Sequence, residues 1–520
     1  SGCSTYPEYA LGTPCRWAPQ HLAVLAAKSV EMRRASSLTT AGINLEVPTR
    51  LRDLRSRQVA KTEAAVKVPD RVLVVGGVAA GMSAASQIRR RHPKTRVTVF
   101  ERGDYISCGA CGMPYNIEDP GREIEDLVVL TAENAREKRG IDLRLRNEAK
   151  ELDLDRGTLT VADLDSGTET NESFDALVIA TGARAIRLPL DGFDLPGVEV
   201  LRNLTDGAAI KDKLKDDPKN AVIVGAGYIG MEMAHVLTER GLSVTVLEKL
   251  PQLLPGWHED TVDVIAETLT DHGVTFHTEA AVKAAEAGPD GSVAAVVTED
   301  GHFDADLVVV AAGVRPNVEL AMNGGLRIGD TGAIWVTQQQ QTSHEAVWSA
   351  GDCAEAYHRV LRRNAWIPLG TTANKQGRIA GANVLGLGQR FPGIVGTAGF
   401  VVFDLEVART GLSEDDAKIE GFDPVAVTIR QRSRAHGYPD GVPVQVRLVA
   451  DRETGLLLGG EFVGREGAAL RSNTLATALG GHMTVADLQS LDLVYAPPFA
   501  SVWDPVLVAA NQLIKKVGGS

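Results

Sequence analysis

One pattern occurs twice in this chain, a strand, a glycine-rich loop, a helix and a second strand ending in an acid. That repeat restricts the fold more than any other feature. In the first copy a β-branched run, Arg71 to Val75, leads into Gly76-Gly77-Val78-Ala79-Ala80-Gly81. The pattern predicts a helix from about Met82 to Arg91 and a strand from Val97 to Phe100, followed by Glu101. In the second copy Ala221 to Val224 leads into Gly225-Ala226-Gly227-Tyr228-Ile229-Gly230. A helix from about Met231 to Arg240, stopped by Gly241, and a strand from Leu242 to Leu247 follow, ending in Glu248. Such units build a parallel sheet covered by helices. The first glycine allows a tight turn, and the last lets helix close on strand. The helix N-terminus offers N–H groups to a pyrophosphate, and the acid accepts from a ribose diol. The second copy has all three glycines; the first has Val78 at the middle position. Glu248 favours NADH, because a carboxylate repels a 2′-phosphate; the neighbouring Lys249 weakens that preference.

Two other apolar runs end in small-residue turns that let backbone approach a nucleotide. Asp175 to Ala180 runs into Thr181-Gly182-Ala183, and Asp306 to Val310 runs into Ala311-Ala312-Gly313. A third turn, Gly351-Asp352-Cys353, precedes a helix expected from about Thr372 to Leu385. Asp352 there either bonds a ribityl hydroxyl or caps a turn, and Cys353 reads as a small buried residue. Beyond Val395 the pattern changes to strands at Gly399–Phe403, Pro424–Ile429, Val444–Ala450 and Gly459–Val463, then helices at Leu470–Leu479 and Val485–Leu491. This α+β unit has no phosphate loop and is expected to make an interface. Tyr438 and Tyr495 lie in it.

Between the two repeats stands Tyr105-Ile-Ser-Cys-Gly-Ala-Cys-Gly-Met-Pro-Tyr115. Cys108 and Cys111 form C-x-x-C. Pro114 fits a first helical turn or a bend, so Cys111 is expected at a helix entry, where free N–H groups favour a thiolate. Three readings compete: a redox pair, a single working Cys111 with Cys108 as bystander or resolving thiol, and a metal site. The last lacks a second C-x-x-C or His pair at ligand spacing.

The net charge of −13 sets nucleic-acid binding aside. No run of 18 apolar residues exists, so no membrane span is expected. Five cysteines in 520 residues, irregularly spaced, do not make a secreted disulfide framework. With no apolar leader segment near the start, the cytoplasm is the expected compartment. Residues 1–68 carry a net +5, against −18 for the rest. They read as a surface extension or a partly disordered tail, or as a helix over Gln20–Arg34 that packs on the body or on a partner. Cys3 and Cys15 within them are taken as incidental.

From about residue 69 to 515 the chain resembles the pyridine nucleotide–disulfide oxidoreductases. It is most similar to the single-cysteine branch of coenzyme A-disulfide reductases, NADH-dependent persulfide and polysulfide reductases, NADH oxidases and NADH peroxidases. The resemblance rests on Gly76 to Gly81, Ser107-x-x-x-Cys111 with Pro114-Tyr115, Gly225 to Gly230, Gly351-Asp352 and Tyr495-Ala-Pro-Pro, in that order. The family's first loop also reads Gly-Gly-Val. The fold it implies is α/β, with two Rossmann-like domains and a C-terminal α+β dimerisation domain. The expected organisation is an FAD domain over 69–188 and 318–394, an NAD(P)H domain over 189–317 and a dimerisation domain over 395–520.

The resemblance implies FAD held by Gly76, Gly77, Ala79, Ala80, Gly81, Glu101, Arg102, Thr181, Gly182, Gly351 and Asp352. It implies NADH, or NADPH, held by Gly225, Gly227, Ile229, Gly230, Glu248 and Gly313. It places the active-site cysteine at Cys111, its serine at Ser107, and two tyrosines from the partner subunit of a homodimer at Tyr438 and Tyr495. In the coenzyme A branch a Gln-Ile-Arg-Arg segment binds the nucleotide part of coenzyme A, which here matches Gln87, Arg89 and Arg90. The oxidases and peroxidases rely on a histidine early in the first helix. This helix begins Met82-Ser83-Ala84-Ala85, which favours a disulfide, persulfide or polysulfide over oxygen or peroxide. Two departures stand out: Cys108 replaces an aromatic, and no rhodanese domain follows. The rival readings are an NADH oxidase or peroxidase cycling Cys111 through sulfenic acid, and a flavin-bearing redox sensor.

Overall fold

The computed structural model describes residues 68–518. The expectations for residues 1–67, Cys3, Cys15 and the Gln20–Arg34 helix among them, lie outside the described residues. Four helices position the site: α1 (Ala79–Arg91), α2 (Met113–Glu118), α3 (Tyr228–Glu239) and α4 (Gly370–Val384).

Each sequence repeat builds its own parallel sheet. In the first, the order is Val347–Ser349, Ala176–Ile179, Arg71–Val75, Arg96–Phe100, Asp142–Arg144. In the second it is Thr275–His277, Ser243–Leu247, Asn220–Val224, Leu307–Val310, Val198–Val200. The central strands are buried on both faces and consist almost wholly of Val, Leu and Ile, as a helix-covered parallel sheet requires. The third glycines do what the spacing predicts. A Cβ on Gly81 would lie 1.8 Å from the Gly76 carbonyl oxygen, and one on Gly230 would lie 2.1 Å from that of Gly225. Both helices begin earlier than the sequence pattern suggested, at Ala79 and Tyr228, because the loop closes directly into a helical turn. Helix α4 lies along α1 in parallel orientation; Gly377 faces the Ala80 carbonyl and Gly381 that of Ala84, each closer than a Cβ would allow.

The two nucleotide units are joined by a short antiparallel pair, Ala183–Ala185 with Val314–Pro316. Thr181 Oγ1 donates to the Asn317 carbonyl at 2.7 Å, and Asn317 Nδ2 returns a bond to the Thr181 carbonyl at 2.8 Å.

The C-terminal sheet has five antiparallel strands, in the order Ala398–Val402, Leu405–Gly411, Leu457–Gly464, Pro443–Asp451, Pro424–Arg432. The strand Leu405–Gly411 is not anticipated by the sequence pattern, which carries the first strand through Phe403. That residue instead turns the hairpin at φ +54°. A bulky residue in this conformation is uncommon. Here its ring is buried, stacked on His272 at 3.8 Å and tilted against His235 at 4.9 Å, which locks this sheet to the second nucleotide unit. Among the described residues no helix is long and apolar enough to cross a membrane.

Candidate active site

The cysteine segment hangs from the first nucleotide loop. The Ser107 N–H donates to the Gly77 carbonyl at 2.9 Å, and the Ser107 carbonyl accepts from Val129 N–H at 3.0 Å. Ser107 is held at φ +48°, the kind of local strain that persists only when both sides of the backbone are fixed. After this inversion the two cysteines part company. Cys108 bridges to Val128 and packs against an apolar cluster, its thiol donating to the Ile106 carbonyl at 3.4 Å. Burial, helped by the Glu101 carboxylate, pushes the Cys108 thiol up to about 12. Cys111 sits in a 3-10 turn, Ala110–Gly112, directly before α2, and remains open to solvent. Pro114 occupies the first turn of α2, as its missing N–H requires. Both thiols are free, and Cys353 is buried with its sulfur against the Ile179 carbonyl.

The thiolate-favouring helix entry expected at Cys111 is outweighed. Desolvation raises the Cys111 thiol most, then the Glu232 and Asp352 carboxylates, with Arg202 opposing. The start of α4 lies close by, since a Cβ on Gly370 would stand 4.0 Å from the Cys111 sulfur. Arg202 donates from Nη2 to Asp352 at 2.6 Å and from Nε to the Ala183 carbonyl at 3.0 Å. The Tyr115 phenol, one turn beyond Cys111, donates to Glu232 Oε1 on α3 at 2.8 Å. Glu232, Arg202 and Gly370 escaped the sequence reading. Glu232 had one available signal, its place two residues after the third glycine on a helix face.

The nucleotide loops fit dinucleotides. Gly76 and Gly225 turn at φ +102° and +105°, and nothing stands within 4 Å of where a Cβ of Gly182 or Gly227 would sit. Those positions leave backbone open to a ligand. Each terminal acid grips its own loop. Glu101 accepts from the N–H of Gly77 at 2.6 Å and of Gly103 at 2.7 Å. Glu248, buried, accepts from Ala226 and Leu250, both at 2.8 Å. Each carboxylate oxygen keeps a lone pair for a ribose. Gly351 turns at φ +86° and Gly313 at +98°. Arg102 is exposed beside Glu148, and Ala79, Ala80 and Ile229 line the helix starts.

The Gln87–Arg90 segment divides. Gln87 is buried, and the Arg89 guanidinium is spent on the carbonyls of Pro93, Thr95 and Arg139. Arg90 is exposed. On α1, Ser83 and Arg90 share a face at helical spacing; on α4, Gly370, Asn374 and Arg378 do. Ser83 Oγ bonds Asn374 Oδ1 at 2.8 Å, which joins the two faces. A seam therefore starts at Cys111 and reaches exposed Arg378 about 12 Å along α4, with exposed Arg90 further on, in the last turn of α1.

Tyr438 and Tyr495 lie on adjacent loops of the C-terminal unit. Ala435 N–H donates to the Pro497 carbonyl at 3.1 Å. Arg471 Nη2 reaches the Ser433 carbonyl at 3.0 Å and the Phe499 carbonyl at 3.1 Å, while its Nε pairs with Asp504 at 2.9 Å. Val494, Tyr495, Phe499, Val502 and Trp503 are exposed on this face. Neither tyrosine is among the groups that act on the Cys111 thiol within the chain.

Residues 70–377 match the pyridine nucleotide-disulphide oxidoreductase family, and residues 397–506 match the dimerisation domain of that family. An NAD(P)H sulfur oxidoreductase (CoA-dependent) of Pyrococcus abyssi is 40% identical over 450 residues, covering 86% of this chain and 99% of that protein. An NADH oxidase of Methanocaldococcus jannaschii is 32% identical, covering 86% and 99%. The structure of an NAD-dependent persulfide reductase from A. fulgidus superposes with a TM-score of 0.83 at 36% identity, covering 86% of this chain and 83% of that one.

Proposed function

This chain belongs to the pyridine nucleotide–disulphide oxidoreductase family, and from that membership we propose an FAD-dependent, NAD(P)H-driven reductase of disulfide, persulfide or polysulfide sulfur, coenzyme A-bound sulfur being the preferred substrate. One observation carries the substrate class. The solvent-open sulfur of Cys111 stands at the head of a seam along which two exposed arginines follow, Arg378 on α4 and, further on, Arg90 on α1. A reactive sulfur on a long carrier that ends in phosphates spans such a seam.

The family's flavin, when bound, supplies an electron pair drawn from the nicotinamide coenzyme. The first loop, with Thr181, Gly182 and Asp352, is the place for FAD, and the second, with Glu248, the place for NAD(P)H. Cys111 attacks the substrate sulfur, and Ser107 lines the approach. Cys108, packed and held protonated, keeps the turn in shape. The C-terminal face forms a homodimer, and Tyr438 and Tyr495 of the second copy protonate the departing thiolate. The oxidase reading has less support, because α1 carries Met82-Ser83-Ala84-Ala85 and no histidine before His92.

Anaerobic NADH titration with thiol counting tests the proposal. One new thiol, with one coenzyme A or sulfide released per subunit, is expected. Stoichiometric oxygen consumption without added disulfide overturns it in favour of an oxidase.

A further inference from the structure

Helix α2 is six residues long, too short to hold itself in water, and its last carbonyls have no partner within the helix. Two cations from two other helices take them. Arg240, at the C-terminal end of α3, donates from Nη1 to the Ile117 carbonyl at 2.8 Å. Lys211, on the helix Leu204–Lys213, donates from Nζ to the Asn116 carbonyl at 2.8 Å. The same ammonium reaches Asn116 Oδ1 at 3.2 Å, the Asp119 carbonyl at 3.2 Å and the Arg122 carbonyl at 2.7 Å. Three N–H donors thus meet four acceptors, all of them carbonyl oxygens and none a carboxylate. Burial, then Arg240, holds the Lys211 ammonium below the ordinary lysine range. A half-buried charge balanced only by dipoles is costly, and what this one holds is the C-terminal end of α2.

The same helix touches α2 a second time, one turn earlier. Gly207 lies four residues before Lys211, on the same helix face. A Cβ there would stand 3.3 Å from Met113 Sδ and 3.0 Å from Ile124 Cδ1. Met113 is the first residue of α2, two after Cys111. The helix Leu204–Lys213 therefore carries α2 at both ends. Ahead of Cys111 the chain is tied by the Ser107 N–H to the Gly77 carbonyl; behind it, by the Lys211 bonds to Asn116. We propose that Lys211, with Gly207 beneath Met113, is a positioning residue for the sulfur chemistry: it closes the C-terminal end of α2 and so sets where the Cys111 sulfur meets its substrate. The inference rests on Cys111 being the reactive sulfur. The Lys211 bonds all go to residues 116–122 and none to a nucleotide loop. Without Lys211, Arg240 still ties α2 to α3, so coenzyme binding stays separate from the position of the sulfur.

The test separates two activities of the full-length holoenzyme. Lys211→Met keeps the aliphatic stem and removes the charge and every donor. A reacting sulfur displaced by about 1 Å loses up to roughly a hundredfold in rate, so kcat for disulfide reduction is expected to fall about tenfold or more. NADH oxidation by ferricyanide bypasses Cys111; its kcat, the KM for NADH and the FAD content are expected to stay within about twofold of wild type. An unchanged kcat for disulfide reduction, or a parallel fall in both activities, overturns the inference. If Lys211→Met does not fold, Gly207→Ala is read instead, because its methyl crowds Met113 at the other end of α2. The same selective fall is expected there, about threefold, and an unchanged kcat is the failing result. If Cys111→Ser keeps disulfide reductase activity, the underlying reading has failed instead.

Discussion

Ser107 donates its N–H to the Gly77 carbonyl at 2.9 Å, which ties the cysteine segment to the first nucleotide loop. The bond holds Ser107 at φ +48°. A β-branched residue is badly placed in that conformation, whereas glycine is not. Ser107→Val is expected to cost about 1–3 kcal/mol in urea unfolding of the apoprotein, and Ser107→Gly to stay within about 1 kcal/mol of wild type. Equal stabilities for the two variants would refute the inverted backbone.

The two cysteines make separable predictions. Cys108 is packed with its thiol protonated far above neutrality, and Cys111 is open. Cys108→Ser is expected to keep disulfide reductase activity within a few-fold and to leave the number of thiols gained on anaerobic reduction unchanged. Cys111→Ser is expected to lose at least a thousandfold in kcat. A count that falls in Cys108→Ser would assign both cysteines to a dithiol mechanism.

How far the sequence revealed this arrangement depends on what each residue encodes locally. The glycine loops were legible, because each glycine answers a backbone demand fixed within a few residues: the +102° turn at Gly76, the 1.8 Å approach behind Gly81. The place of Cys111 at a helix entry was legible through Pro114, which marks a first helical turn. Glu232 and Arg202 were not. Each is an ordinary polar residue until α3 and the Val198–Val200 linker are packed around a cysteine 121 and 91 positions away. The partners of Arg89 were hidden for the same reason. Its carbonyl partner Arg139 lies in a turn 50 residues on, and only the folded turn shows the guanidinium occupied. Phe403 hid a hairpin because an aromatic residue rarely makes a turn; its cost is offset by burial between His235 and His272.

Gly227 separates folding from coenzyme binding. A Cβ there meets nothing within 4 Å, and its φ is −78°, which alanine adopts freely. Gly227→Ala is therefore expected to leave the apoprotein's stability within about 0.5 kcal/mol and its FAD content unchanged. The added methyl stands where a pyrophosphate would approach the start of α3, so KM for NADH should rise at least tenfold. An unaltered KM would remove this loop from coenzyme binding.

Arg471 holds the Tyr438 and Tyr495 loops together through two carbonyls and Asp504, with both charges largely buried. Arg471→Met leaves Asp504 unpaired, a loss of about 3 kcal/mol. The exposed apolar face carrying Tyr495, Phe499 and Trp503 loses its shape with it. Sedimentation should show a weaker dimer, and disulfide reduction should fall while NADH oxidation by ferricyanide persists. Parallel loss of both activities would mean general unfolding instead.

His358 is expected to make the fold sensitive to acid. Burial, with the Arg363 guanidinium adding and Glu420 opposing, lowers its imidazole to about 4. Nδ1 accepts from Leu361 N–H at 3.2 Å, and the residue is 1% exposed. The folded-state value lies below the unfolded one, so between about pH 6.5 and 4 the unfolded chain binds a proton that the folded chain refuses. Stability from this group is complete above pH 6.5 and is lost as pH falls towards 4, by up to about 3 kcal/mol. His358→Asn, whose side-chain oxygen can take the Leu361 bond, is expected to be less stable than wild type at pH 7 yet to lose distinctly less on going to pH 4.5. Urea midpoints at the two pH values measure this, and identical acid losses in both proteins would assign the sensitivity to other groups.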